Sequence, residues 1–349
     1  MAYFDTLDRT IKQEPVILGL ETSCDETAAA VIRGRTILSD EIASSADIQA
    51  QYGGVVPEIA SRMHTDAVDS VVKAAVKKAG ITLDDIDAVA VTYGAGLLGA
   101  LLVGLSFGKA LAYALHVPLI AVNHIRGHLA AAYLVDPELR PPFVTLLASG
   151  GHTAVLYAES EQKFHVLGAT LDDAAGEAFD KVARVLSLPY PGGPNVEKLA
   201  ANGKNVISMP EMLRGEHGFN FSYSGLKTFV VNYCHTKAQK GETYSKADLA
   251  CSFQCAALDV LVKKTVQAAK EKKVKTVTAG GGVAANGYLR AALQRACDAA
   301  GLRLVLPTRR YCTDNAAMIA SEGLIQYRAG NFSDLSLNAK ASIPLKAEL

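Results

Sequence analysis

The stretch VILGLETSCDETAAAVI (16–32) is an apolar run that turns polar at its end. Hairpin material follows it, with Gly34 near the next turn. The same grammar returns in FVTLLASGGHTAVLYAES (143–160), which reads as a strand, a polar glycine turn and a strand. Downstream of the first copy, DAVAVTYG (87–94) predicts a buried strand. A glycine turn, the long helix LLGALLVGLSFGKALAYALH (97–116) and the strand VPLIAVN (117–123) come next. Downstream of the second copy, VKTVTAGGGVAANGYLRAALQRACDAAGLRLVLP (274–307) repeats strand, turn, helix and strand. Identity between the halves is slight, but element order and lengths agree. The expectation is a duplicated α/β chain whose two lobes face each other across a cleft. A helix over VVPEIASRMHTDAVDSVVKAAVKKAG (55–80) should close on Gly80. The expected domains are an N-terminal extension (1–15), a first lobe (16–142) and a second lobe (143–349). Segment 188–245 of the second lobe, rich in Pro, Gly and aromatics, has no counterpart in the first half and reads as an insertion.

Composition narrows the functional classes. Half of the 349 residues are hydrophobic and 20% are charged, which implies a large buried core. Thirty-five basic residues balance thirty-five acidic ones, so a polyanionic partner needs a local basic patch or a helper protein. Lys109, Arg184, Lys227, Arg290, Arg309 and Arg310 are candidates for such a patch, with scattered solvated charges as the alternative. Six cysteines without a C-x-x-C fit a reduced, cytoplasmic protein, with Cys251 and Cys255 read as buried thiols one helical turn apart. No apolar signal region opens the sequence, and no apolar run comes near the ~20 residues of a membrane span.

The last strand of the first half delivers the chain to NHIRGH (123–128), where His124 and His128 are four residues apart and share a helix face. At the comparable place in the second half, LRLVLP (302–307) leads to Asp314. Ligand sites in open α/β sheets lie at the carboxyl ends of strands. Two histidines and a carboxylate brought together there form a ligand set for a divalent transition metal. Thr313 or Asp314 as a simple N-cap of the last helix is the plainer reading.

Three glycine turns, YGAGLLG, ASGGH and AGGGVAANG, each follow a strand and together favour nucleotide binding, although any one alone is more often a tight turn. Gly94, Gly96 and Gly99 spell G-x-G-x-x-G, but the next strand ends in Asn123 and His124 rather than in an acid, which argues against a dinucleotide site. Glu21, Asp25 and Glu26 cluster after the first strand, where carboxylates can hold a metal-bound phosphate or act as a base. Asp172, Asp173, Glu177 and Asp180 surround a helix start and read mainly as caps and solvated charges.

Nine stretches in order carry a family resemblance: GLETSCDET (19–27), YGGVVPEIASRMH (52–64), NHIRGH (123–128), SGGHT (149–153), DDAAGEAFDKVAR (172–184), YPGGP (190–194), FSYSGLKT (221–228), GGGVAANGYLR (280–290) and CTDNAAMI (312–319). Over nearly its whole length the chain resembles the bacterial TsaD family, the tRNA N6-adenosine threonylcarbamoyltransferases, once described as O-sialoglycoprotein endopeptidases. The resemblance implies the duplicated actin-like ATPase fold shared with sugar kinases and Hsp70. It implies a metal-dependent acyltransferase that moves threonylcarbamoyl from L-threonylcarbamoyladenylate to N6 of adenosine 37, releasing AMP, in tRNAs reading codons that begin with A. His124, His128 and Asp314 match the family's metal ligands, usually for Fe2+ and sometimes for Zn2+. Leu147, Ala148, Ser149, Gly150, Gly151, Asp180, Gly193, Glu197 and Asn286 match its substrate-binding positions for an adenylate or ATP-type nucleotide. His152, beside the glycine turn, is a candidate catalytic residue, with a purely orienting or packed histidine as the alternative. Implied partners are tRNA, a smaller paralogous TsaB-like subunit on the first lobe, a TsaE-like ATPase and a TsaC-like adenylate-forming enzyme, with no membrane. Two positions depart from the family pattern: Ala95 replaces the proline of a usual Gly-Pro-Gly turn, and Glu197 stands where many relatives carry Asp.

Rival classes fit less well. A zinc peptidase of the H-E-x-x-H type needs glutamate after the first histidine, and Ile125 stands there. A small-molecule kinase of the same fold leaves the histidine pair unexplained; an ATP-regulated scaffold that only organises partners is a third class, against which loss of modified nucleoside in His124→Ala with complex assembly intact would count.

Overall fold

The computed structural model describes residues 3–213 and 218–345; residues 214–217 of the expected insertion and the first two of the N-terminal extension lie outside them. The described residues form two compact units, 3–139 with Asp314–Leu345, and Arg140–Thr313.

In the first unit, β1 (Val16–Glu21) is buried along its entire length, as the apolar run Val16–Leu20 requires, and its terminal Glu21 is buried with it. It pairs antiparallel with β2 (Glu26–Arg33), which turns through Gly34 (φ 54°) into β3 (Thr36–Ser44). On its other side it pairs parallel with β4 (Ala88–Gly94), and β4 with β5 (Leu119–Asn123), giving the order β3-β2-β1-β4-β5. The helices are α1 (Tyr3–Thr6), α2 (Ala46–Ala50), α3 (Pro57–Ala79), α4 (Leu98–Leu115) and α5 (His124–Ala130). Proline opens α3, and Gly80 closes it in the left-handed conformation, the second of these as the sequence predicts. Val71, Val72 and Ala75 of α3 and Leu105 and Ala112 of α4 share a core with Leu18, Leu20, Val89 and Val91 of the sheet.

The second unit repeats this topology. β6 (Phe143–Ala148), β7 (Thr153–Ala158) and β8 (Phe164–Ala169) are antiparallel, and β6 pairs parallel with β9 (Thr276–Gly280), which pairs with β10 (Arg303–Val305). The order β10-β9-β6-β7-β8 is that of the first sheet with each strand replaced by its duplicate, so the duplicated actin-like α/β fold is borne out. Its helices are α6 (Ala175–Val185), α7 (Gly192–Ala200), α8 (Ser224–Gln239), α9 (Lys246–Glu271), α10 (Gly287–Ala299) and α11 (Arg309–Cys312). The expected insertion supplies α7 and α8, whose Val196, Leu226 and Val230 join the core around Phe179 and Phe253.

The last helix, α12 (Ala316–Arg328), lies with the first unit. Its Met318, Ile319, Ala320 and Leu324 pack with Ile17, Ala88, Ala90, Ile120 and Val122, so the chain from Asp314 onward joins the first unit rather than the second lobe. The helix is buried nearly all round and needs cover that a one-sided amphipathic helix does not. Its approach is close. A Cβ on Gly19 would lie 2.5 Å from the Ala316 carbonyl oxygen, and one on Gly323 would lie 2.5 Å from Ala90 Cβ.

Among the described residues α4 is long and apolar enough to cross a membrane by length and composition, although the sequence reading found no run near that threshold. Ala100, Leu101, Gly104, Leu105, Gly108 and Ala112 are its buried stripe, while Leu98, Leu102 and Tyr113 stay exposed.

Because backbone, not a flexible side chain, faces Gly19, substitution there must move α12. Gly19→Ala should cost about 1–3 kcal/mol and lower the calorimetric midpoint by several degrees. A midpoint equal to that of the wild type would show that α12 can shift freely.

Candidate metal centre

Asn123 ends β5 and caps α5, its side-chain oxygen accepting the Ile125 N–H at 2.9 Å. The cap starts the helix at His124, so His124 and His128 fall one turn apart with ring centroids 4.6 Å apart. Asp314 sits one residue before the actual cap of α12, which is Asn315 accepting the Met318 N–H at 2.8 Å. Neither Thr313 nor Asp314 serves as that cap, and Asp314 turns to the histidines. Its Oδ1 is 3.5 Å from His124 Nε2 and 3.3 Å from His128 Nε2.

Every one of these three groups can offer a ligand atom within 4.8 Å of the others. Donors about 2.1 Å from one tetrahedral ion would lie about 3.4 Å apart, close to the two separations from Asp314, 3.5 and 3.3 Å. His128 supplies the independent test. It is 2% exposed, and among the described residues its Nδ1 has no hydrogen-bond partner while its Nε2 meets Asp314 Oδ1 at 3.3 Å without a well-aligned hydrogen bond, which leaves Nε2 open to a cation. His64 shows the ordinary alternative: equally buried, it contacts Thr27 Oγ1 through Nδ1 (2.8 Å) and the Cys24 carbonyl through Nε2 (3.0 Å).

The electrostatics are those of an anionic cradle. Burial opposes charge on His124, but the Asp314 and Glu21 carboxylates outweigh it and raise its pKa to about 9. Burial holds His128 below the usual imidazole range, with neighbouring His124 acting in the same sense. Burial also works against the Asp314 anion, yet the two histidines hold its pKa down to about 2.

The acidic cluster after β1 divides by role. Glu21 is fully buried; its Oε1 accepts the Ser23 N–H at 2.6 Å, and its Oε2 accepts from Thr92 Oγ1 and lies 3.3 Å from His124 Nδ1. Glu26 accepts from Ser44 at 2.8 Å, and burial pushes its pKa up to about 7. The sequence put Glu21 in this cluster but missed its contact with His124. A single acid ending an otherwise apolar strand was the available signal.

The glycine turns also divide. The Gly94–Gly99 turn is filled by the chain itself: Gly96 N–H goes to Ala341, Leu97 N–H goes to Ser23, and Cβ atoms on Gly96 and Gly99 would strike Ser23 and Ser61. In the second unit, Gly150 and Gly151 follow β6 with none of the described residues within 4 Å of where their Cβ would lie. Ser149 and His152 close that turn through Ser149 N–H to the His152 carbonyl (2.8 Å) and His152 N–H to Ser149 Oγ (3.1 Å).

These motifs sit on a chain whose sequence matches a known profile over residues 36–321, described as TsaD: tRNA N6-adenosine threonylcarbamoyltransferase. The chain belongs to this family. The threonylcarbamoyltransferase of Geobacillus thermodenitrificans is 50% identical over 337 residues, covering 96% of this chain and 98% of its own. That of Clostridium beijerinckii is 50% identical over 332 residues, covering 95% and 98%. Among solved structures, T. kodakarensis HypF aligns with a TM-score of 0.62 at 17% identity, over 95% of this chain and 50% of its own. The activator of 2-hydroxyisocaproyl-CoA dehydratase from Clostridium difficile aligns at 0.52 with 16% identity, over 90% and 96%. These two show the fold.

The residues expected from the sequence to contact substrate all lie in the second unit, in three groups. Leu147 and Ala148 end β6 and lead into the Ser149–Gly151 turn. Asp180 of α6 accepts the Gly192 N–H at 2.8 Å beside Gly193, and burial raises its pKa. Glu197 accepts the Gly287 N–H at 2.8 Å, while Asn286 caps α10 and donates to Gln254 at 3.0 Å. Of the expected basic patch, Lys109 belongs to the first unit and the others to the second, where Lys227 pairs with Asp173 at 3.1 Å and Arg290 donates to the Ala284 carbonyl.

The raised His124 pKa sets a pH dependence for metal-free protein. Protonated His124 stabilises the fold fully below its unfolded pKa of 6.5, and that contribution is lost as pH rises through about 9. The unfolding free energy from urea titration should fall between pH 6.5 and 9.5, by up to about 3 kcal/mol. His124→Ala should remove this fall; an unchanged fall would place the titrating group elsewhere.

Proposed function

We propose that this chain transfers the threonylcarbamoyl group from L-threonylcarbamoyladenylate to N6 of adenosine 37, in tRNAs reading codons that begin with A. The observation that carries the reading is half identity over nearly the full length to threonylcarbamoyltransferases, with the His124–His128–Asp314 cradle in place. N6 attacks the carbamoyl carbonyl carbon, the carbon–oxygen bond to phosphate breaks, and AMP leaves with the electron pair. An exocyclic amine is a poor nucleophile, so the donor must be oriented.

In this reading His124, His128 and Asp314 hold one divalent ion per subunit, Fe2+ or alternatively Zn2+. When bound, the ion supplies Lewis acidity and a template for substrate oxygen. Leu147 to Gly151 present backbone to the adenylate or an ATP-type nucleotide, and the openness around Gly150 and Gly151 supports this. Asp180, Gly193, Glu197 and Asn286 complete the proposed nucleotide contacts. Asn286 acts through the α10 N-terminus, because its amide is already engaged at both ends. His152 is the proposed acceptor for the proton that N6 loses.

The proposed partners are tRNA, an ATPase, an adenylate-forming enzyme and a smaller paralogous subunit, all in the cytoplasm and without a membrane. The exposed Leu98, Leu102 and Tyr113 of α4 support docking of the paralogue on the first unit. A groove of about 520 Å³ between α3 and α4, lined by Val68, Leu102 and Phe107, supports it as well.

Nucleoside mass spectrometry of tRNA from depleted cells should show loss of threonylcarbamoyladenosine. Wild-type chain should restore it, whereas His128→Ala and Asp314→Ala should leave it at least 100-fold lower. Unchanged modified nucleoside after depletion would overturn the reading.

A further inference from the structure

Glu21 lies at the end of β1, fully buried, and its carboxylate is held from several sides. Ser23 N–H donates to Oε1 at 2.6 Å and Thr92 Oγ1 donates to Oε2, so the group cannot turn away. His124 Nδ1 stands 3.3 Å from Oε2. An ionised carboxylate only accepts hydrogen bonds, so the ring nitrogen facing it must carry hydrogen. A neutral imidazole has one such hydrogen, which leaves the lone pair on Nε2, the nitrogen 3.5 Å from Asp314 Oδ1. Ser23 Oγ also lies 3.1 Å from Nδ1, but a hydroxyl can donate or accept and so does not choose the tautomer.

We propose that Glu21 is a positioning residue, fixing the His124 ring with Nδ1–H toward itself and the Nε2 lone pair toward Asp314 and His128. The proposal rests on the metal-centre reading above. It gives Glu21 a task distinct from holding phosphate or acting as a base. A carboxylate behind a ligating imidazole fixes its tautomer and raises its basicity, and losing such a partner typically weakens metal binding 10–100-fold.

Glutamine at this position separates a tautomer role from a packing role. The amide has one oxygen, and the Ser23 N–H claims it. The NH2 then faces Thr92 and His124, so Nδ1 must accept and the hydrogen moves to Nε2, which can no longer ligate. A residue needed only for packing would tolerate this isosteric change.

The test is titration of the full chain with Zn2+ against a chromophoric chelator, with circular dichroism as the folding control. Both Glu21→Gln and Glu21→Ala should bind Zn2+ 10–100-fold more weakly than wild type. In Zn2+-loaded wild type, 15N–1H correlation spectra should show hydrogen on His124 Nδ1; this readout needs no variant and stands even if the variants fail to fold. Wild type that takes up no Zn2+ overturns the metal reading and this proposal together. Folded Glu21→Gln with wild-type Zn2+ affinity, or His124 Nδ1 without hydrogen in the loaded protein, overturns the positioning role alone.

Discussion

The packing of α12 on the first sheet is the constraint on which the candidate centre depends. Gly19 faces the Ala316 backbone, Gly323 the Ala90 Cβ and Gly127 the Ile319 side chain, each closer than a Cβ could stand, so the helix packs on β1, β4 and α5 with no room for a larger residue at these positions. The buried Arg126–Glu322 ion pair ties α5 to α12 across this contact. Breaking such a pair strands a buried charge, typically a loss of 3–5 kcal/mol, so the two helices are fastened in one arrangement. Asp314, at the head of α12, is thereby set against two histidines on α5. A three-point ligand set assembled from segments nearly two hundred residues apart needs that rigidity.

Polar satisfaction explains why this cluster, and not another, invites a cation. His64 and His128 are both buried histidines in the same unit, yet the fold gives His64 a hydrogen-bond contact at each nitrogen, whereas among the described residues His128 has only the 3.3 Å Asp314 contact at Nε2 and no partner at Nδ1. Around His124 the fold adds two carboxylates, an anionic surplus that a proton offsets in the metal-free protein and a divalent ion can offset instead. The nine-residue repertoire in the second unit follows a different logic. There Asp180, Glu197 and Asn286 spend their side chains on helix N-termini, and exposed glycine backbone after β6 faces open space.

Much of this was legible in the sequence because duplication leaves a strong trace. Mainly apolar runs at Val16–Glu21 and Phe143–Ala148 mark the two central strands, and the matching element lengths predict two sheets of one topology. The ligand triplet was also within reach, since His124 and Asp314 follow the corresponding strands β5 and β10. What escaped was long-range. No local pattern tells α12 to cross to the first unit, because a helix buried all round looks apolar whichever sheet covers it. Nor does spacing reveal that the Gly94–Gly99 turn is filled by Ser23 and Ala341 while the Gly150 turn stays open. The Glu21–His124 contact likewise depends on how β1 and β5 lie in the folded sheet.

X-ray absorption at the iron edge, on full chain loaded anaerobically with Fe2+, tests the central claim most directly. The account predicts one ion per chain whose first shell holds two imidazole nitrogens and carboxylate oxygen at about 2.0–2.2 Å. It also predicts loss of stoichiometric binding in Asp314→Ala. An ion bound without imidazole, or stoichiometric binding that survives the loss of Asp314, would contradict it.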